Sequence, residues 1–333
     1  MTAGHYHCSI NPIGRGAGAG VVHKAAYRAG EKLFDERAGA WTADYRKRRR
    51  SVTEKFIVTR EDAAAWRSNR QRLWNAAEKA EARRNGRIAT ELELGLPHEL
   101  SQAQRKKLLL DFLAPIIARY GVAADVAIHT AHDDRNIHAH VLLTHRELGA
   151  DGFGEIANAR TISKKVKGQV KLIGIAGIAA TPADVEMIRK AWAAAVNRAY
   201  ALAGLNVRVD HRSFERRGIE DLPTIHLGPK ASAMERRQPG SSDRGDINRG
   251  IELHNTHRRK LRQLRSAGRR MMQRQASPRG GEIQVVRPPA ARAREFLVRP
   301  EIAVEARQVL KSPDRADVPR QPSTPISGFP RGP

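Results

Sequence analysis

The chain has 333 residues, with 60 Lys and Arg against 35 Asp and Glu, a formal charge of +25 and one cysteine. That length allows one large domain or two ordinary ones, and 40% hydrophobic content is enough for a real core. The charge favours a polyanionic partner, most simply nucleic acid, while the lone Cys8 excludes internal disulfides and any multi-cysteine zinc site. No apolar run reaches the roughly 18 residues of a bilayer span, and the first residues, MTAGHYHCSINP, lack the apolar segment of an export signal. A cytoplasmic protein with no membrane insertion is expected.

HYHCSIN at 5–11 alternates as a short strand does, and the Gly-rich IGRGAGAG at 13–20 turns the chain into a packed helix, VVHKAAYRAGEKL at 21–33. Residues 41–53, with KRRR at 47–50, read as an exposed basic loop. Trp66, Leu73, Trp74 and Ala77 recur at helical spacing and predict a helix over about 61–83. In TELELGLP at 90–97, Leu92, Leu94 and Leu96 share one strand face, and Glu91 and Glu93 the other. Ser101 and Gln104 form a capping box for a helix that carries Leu108, Leu109, Phe112, Ile116 and Ile117 and stops before Gly121. DVAIH at 125–129 and IHAHVLLT at 137–144 predict two strands joined as a hairpin. Thr181 caps a further helix from Pro182 to about Gly204. The alternation predicts an α/β fold: a two-layer sandwich with a central antiparallel sheet carrying the histidine motif and helices packed on it.

Beyond residue 205 the texture changes. Residues 1–250 read as the main domain, 251–276 as a basic helical segment, and 277–333 as a Pro- and Arg-rich tail too poor in apolar residues to order itself.

The chemistry concentrates in HDDRNIHAH at 132–140. His138 and His140 lie two apart on a strand and project from one face. His129 ends the neighbouring strand, where pairing could set it opposite them; His132, in the loop, is the alternative third member. Three imidazoles on one face make a nitrogen set for a divalent cation. Asp134 and Asn136, with the outward Glu91 or Glu93, are available to hold the ring tautomers. Tyr27 sits on the helix at 21–33. A phenol with a pKa near 10 is a poor nucleophile until its proton is shared or the electrophile is sharpened.

Several segments, in order, resemble the MobA/MobL family of plasmid mobilisation relaxases, which are histidine-hydrophobic-histidine endonucleases. IGRGAGAGVVHKAAYRAGEKL at 13–33 resembles the family's nucleophile segment, ELELGLPHEL at 91–100 its glutamate strand, and DDRNIHAHVLLTHRE at 133–147 its metal motif. VDHRSFERRGIEDLPTIHLGPKASAMERR at 209–237 and DRGDIN at 243–248 are similar to its distal signature. The resemblance implies a nicking enzyme that acts on single-stranded DNA at a transfer origin through a tyrosyl 5′-phosphodiester, initiating conjugative mobilisation. It implies Tyr27 and Glu91 as catalytic residues and a divalent ion, Mg²⁺ or Mn²⁺, on His129, His138 and His140. Candidate DNA-binding residues are Arg15, Arg28, Lys47, Arg48, Arg49 and Arg50. Accessory mobilisation proteins and a type IV secretion coupling protein are the implied partners. A non-catalytic origin-binding protein and a replication-initiator nuclease of the same fold are the alternatives. His23 departs from the family pattern, which has a small residue there, and reads as a surface side chain.

Overall fold

The computed structural model describes residues 2–15, 20–130, 136–166 and 168–275. Its first compact unit ends at His211 and the second begins at Arg212.

In the first unit the main elements are β1 (Cys8–Gly14), α1 (Val21–Ala29), β2 (Val52–Val58), α2 (Arg70–Ala80), β3 (Arg87–Gly95), α3 (Gln102–Tyr120), β4 (Ala124–Thr130) and β5 (Ile137–Thr144). Two hairpins follow, β6 (Arg146–Gly149) with β7 (Gly152–Ile156) and β8 (Arg160–Val166) with β9 (Gln169–Ile175), and then α4 (Pro182–Leu202). Five strands form one antiparallel sheet in the order β1-β3-β5-β4-β2. From one face Leu92, Leu94, Val126, Ile128, Val141 and Leu143 pack against Leu109 and Leu113 of α3 and Trp192 and Val196 of α4. On the other face a smaller core joins Ala89 and Leu142 to Val22 and Ala26 of α1 and Leu73 and Trp74 of α2. The expected antiparallel α/β sandwich is present; its central strand β5 carries His138 and His140, and the adjacent β4 carries His129.

Local chemistry sets the element ends. Ser101 and Thr181 close capping boxes with Gln104 and Asp184, as their spacing predicts. Helix α1 stops at Ala29 rather than running to 33, because Gly30 takes a left-handed φ of 60°, a conformation that glycine adopts without steric cost. The helix expected over 61–83 is shorter: Asn69 accepts a hydrogen bond from the Arg72 amide at 3.0 Å, and α2 begins at Arg70. Trp66 therefore falls in a separate 3-10 turn, against Phe153. The basic loop is also more regular than expected. Residues 45–51 wind into a 3-10 helix, and Val52 starts β2, an edge strand paired only to β4. Glu54 and Lys55 interrupt its apolar alternation, so pairing rather than pattern makes it a strand.

Between sheet and α2 lies a buried ionic node. Asp125, 4% exposed, accepts from Arg70 at 2.7 Å and from the Trp74 indole at 2.8 Å. Removing its carboxylate would leave the indole N–H without its acceptor and the buried guanidinium with Glu31 alone, 2.8 Å away. Asp125→Ala is expected to lower stability by about 3 kcal/mol, read from the denaturant midpoint. A midpoint within about 0.5 kcal/mol of wild type would show the node to be dispensable.

The second unit contains a 3-10 turn (Glu215–Arg217), α5 (Gly228–Arg237) and α6 (Asp243–Gln275). Ser242 starts α6 by accepting from the Gly245 amide at 3.1 Å while its hydroxyl donates to Glu235 at 2.6 Å. The helix then runs unbroken through residue 250, and the two compact units meet in sequence at 211/212. The tail at 277–333 lies outside the described residues. No helix among the described residues is long and apolar enough to cross a membrane.

Candidate active site

The site is assembled by strand register. His129 of β4 lies directly opposite His138 of β5, and His140 follows two positions on, so all three rings share the sheet face that α1 and α2 partly cover. Ring centroids are 4.9–5.4 Å apart, and one ring nitrogen from each histidine lies within 4.8 Å of the others. Among the described residues this is the one group of at least three potential ligands drawn together this closely.

Each ring also turns a nitrogen toward an acceptor. The Nε2 of His129 is 2.7 Å from the Arg28 carbonyl oxygen, which can only accept, so that nitrogen carries the proton. The Nδ1 of His138 donates to the Asn136 carbonyl at 3.3 Å, and the Nδ1 of His140 donates to Glu91 Oε1 at 2.8 Å. A defined tautomer on each ring leaves its second nitrogen as the lone-pair donor, the arrangement found around metal-bound imidazoles. Burial, with the neighbouring His140 charge, pushes His138 below the ordinary imidazole range and so favours the neutral form that binds a cation. The donor set fits a divalent ion.

Glu91 is the hinge of the arrangement. Of the two outward carboxylates on β3, Glu93 stands opposite His140 in register, yet Glu91 makes the hydrogen bond. Its other partner is Arg28, which donates to both carboxylate oxygens, at 2.6 Å through Nη2 and more closely still through Nε. Burial alone would raise the Glu91 pKa, but the bonds from His140 and Arg28 and the Arg28 charge hold it down to about 2. Because the folded pKa lies below the unfolded value of about 4.3, this stabilisation is complete above that value and lost as pH falls toward 2. Glu91→Gln should therefore lower the melting temperature by several degrees at pH 7, and the gap to wild type should close at pH 2–3. A gap that does not change with pH would contradict a charge-based role.

Tyr27 immediately precedes Arg28 on α1. The main chain of Arg28 meets His129 and its side chain holds Glu91, so the end of α1 that bears Tyr27 is tied to the histidine cluster. Tyr27 is 37% exposed and meets the ring of Tyr45 edge-on, with centroids 5.2 Å apart and planes at 85°. Tyr45 opens the basic 3-10 segment, so Lys47–Arg50 begins next to the Tyr27 helix.

Some expected residues take other places. Arg15 pairs with Glu78 at 2.9 Å, and Arg28 with Glu91, so both guanidiniums have partners within the fold. Asn136 serves the site through its carbonyl rather than its amide. His23, expected on the surface, is half-buried and lies 3.8 Å from the buried Asp35. His145, the last histidine of the motif, stays outside the cluster, its pKa lowered to about 4 by burial and the Arg87 charge. Lys47 is exposed. His132 and Asp134, and the side chains of Arg48, Arg49 and Arg50, lie outside the described residues.

Fold and site together define an antiparallel α/β protein with a three-histidine candidate metal centre beside a tyrosine-bearing helix. A family model described as the MobA/MobL family matches residues 19–237, and the chain belongs to that family. It is 35% identical over 242 residues to "Probable conjugal transfer protein TraA" of Sinorhizobium fredii, covering 69% of this chain and 22% of the relative. Over 267 residues it is 33% identical to "Mobilization protein MobL" of Acidithiobacillus ferridurans, covering 72% of this chain and 66% of that one. This chain thus spans about a fifth of the first relative and just under two thirds of the second. A solved structure described as "Molecular Basis of Vancomycin Resistance Transfer in Staphylococcus aureus" superposes with a TM-score of 0.52 at 25% identity, over 62% of this chain and 98% of that one.

Proposed function

We propose that this protein is a relaxase that nicks one DNA strand at a plasmid transfer origin. The observation that carries the reading is the junction at Arg28, which joins the Tyr27 helix to His129 by its backbone and to His140 through Glu91. The family and relatives named for mobilisation and conjugal transfer support it.

In this reading Tyr27 Oη attacks a phosphorus of single-stranded DNA. The Tyr27 hydroxyl gives up its proton to solvent as the bond to phosphorus forms. The bond to the 3′-oxygen breaks, that oxygen takes up a proton, and the products are a 5′-phosphotyrosine and a free 3′-hydroxyl. The linkage keeps the phosphodiester energy, so rejoining needs no ATP, in accord with a sequence that has no GxxxxGK[ST] loop. His129, His138 and His140 would hold Mg²⁺ or Mn²⁺, and a bound ion would polarise the phosphate oxygens. Glu91 stays ionised, so its part is to fix the His140 ring and the Arg28 guanidinium rather than to shuttle a proton. Arg28 acts as a positioning residue for Tyr27. Residues 1–250 would carry the activity, with accessory mobilisation proteins and a secretion coupling protein as its partners.

The test uses oligonucleotides tiled across the transfer-origin region of the replicon, labelled at either end, with Mn²⁺ or Mg²⁺. A 3′-label should stay on the protein through denaturation, while a 5′-label should appear on a shortened free strand. Retention of neither label, with tight binding, would make the protein an origin binder without chemistry.

The cations should be visible in the same binding assay. If KRRR at 47–50 meets phosphates, log affinity should fall with log salt by roughly 0.7 for each single-strand contact. Replacing Lys47, Arg48, Arg49 and Arg50 with Gln should reduce that slope by about 2–3. An unchanged slope would remove this segment from the interface.

A further inference from the structure

One face of α6 is fully used within its own unit. Asn248 and Asn255 each make paired hydrogen bonds to the backbone of Ile225 and Leu222, at 2.8–2.9 Å, and Arg259 and Arg262 hold Asp221 at 2.6 Å. Those positions recur at helical spacing around the buried Ile251. About half a turn around the helix, a different surface faces solvent. Leu253, Leu261, Leu264, Met271 and Met272 are 53–73% exposed. Leu261, Leu264, Gly268 and Met271 follow a 3-4-3 spacing, the interval of a coiled-coil seam.

The flanks of the seam are one-signed. Lys260 and Arg265 occupy positions that border it, Arg258 at a third is paired with Glu220 at 2.8 Å, and from Leu253 to Gln275 there are eight Lys and Arg and no Asp or Glu. Residues at such bordering positions choose the partner of a helical seam by charge. A second copy of α6 would set cations against cations in either orientation. A helix that lies on a bilayer presents a broad apolar face with Trp or Phe, whereas this stripe is narrow and has no aromatic residue. DNA would satisfy the cations and leave the Leu and Met side chains in water.

We propose that the outer face of α6 is a docking seam for an acidic amphipathic helix of a partner protein. Such a helix would place apolar side chains against Leu261, Leu264 and Met271, close to the backbone at Gly268, and carboxylates beside Lys260 and Arg265. The proposal is independent of the nicking chemistry.

The probe is a synthetic helical peptide of about four heptads with Leu and Ile in its seam and Glu on its flanks, set against the same seam flanked by Lys. Full-length protein should bind the Glu peptide and not the Lys peptide. The double variant Leu261→Gln with Leu264→Gln should lose at least about tenfold in affinity, with unchanged melting and unchanged oligonucleotide binding, because both residues are exposed. Lys260→Glu with Arg265→Glu should reverse the peptide preference. Glu-peptide binding that survives the Leu→Gln changes would reduce the effect to charge attraction and overturn the seam. Loss, in those same variants, of binding to anionic vesicles or of self-association in sedimentation would assign the face to a bilayer or to a second copy, and would overturn the proposal equally.

Discussion

Tyr27→Phe is expected to abolish covalent adduct formation and strand cleavage, by at least about a thousandfold. Phe keeps the ring that packs edge-on against Tyr45 and removes only the attacking oxygen. Arg28 and not Tyr27 holds Glu91 and His129, so those contacts persist in the variant. Oligonucleotide affinity and melting temperature should accordingly stay within a few-fold and about a degree of wild type. Tyr45 is the nearest rival nucleophile, 5.2 Å away ring to ring. If the Tyr27→Phe protein still retains a 3′-label and Tyr45→Phe does not, the nucleophile is Tyr45.

His138→Ala and His140→Ala should each lower Mn²⁺ affinity by more than the roughly 10–100-fold typical of losing a ligand's hydrogen-bond partner. Two imidazoles hold a labile divalent ion poorly against water. Glu91→Gln, which leaves all three rings in place, should fall within that 10–100-fold range and so serves as the internal comparison. Calorimetric titration with Mn²⁺ measures all three. Undiminished affinity in both alanine variants would overturn the three-histidine centre. The third ligand is decided by comparing His129→Ala with His132→Ala. The convergence of His129 with His138 and His140 predicts that the first loses the ion and the second keeps it.

Much was legible from residue order alone. Periodicity and caps identify α3, α4, β3, β4 and β5, because a capping box and a two- or 3.6-residue repeat are local properties of the chain. The pairing of His138 with His140 is likewise local: two residues apart on a strand means one face. Family membership was legible too, from motifs in fixed order.

Other features exist only after folding. The choice of Glu91 over Glu93 depends on the register of β3 against β5 and on an arginine from a helix more than sixty residues earlier. Arg28 shows the limit most clearly. In a chain of charge +25, one more arginine near a nucleophile reads as a DNA contact. Only the docking of α1 across the sheet reveals that its guanidinium faces a buried carboxylate and its carbonyl faces an imidazole. The edge strand β2 was hidden for the same reason, since its partner β4 lies some seventy residues on and its own alternation is broken. Local pattern determines which elements form and which face each side chain takes. Which faces then meet is decided by long-range pairing, and both the histidine cluster and its tie to Tyr27 are products of that step.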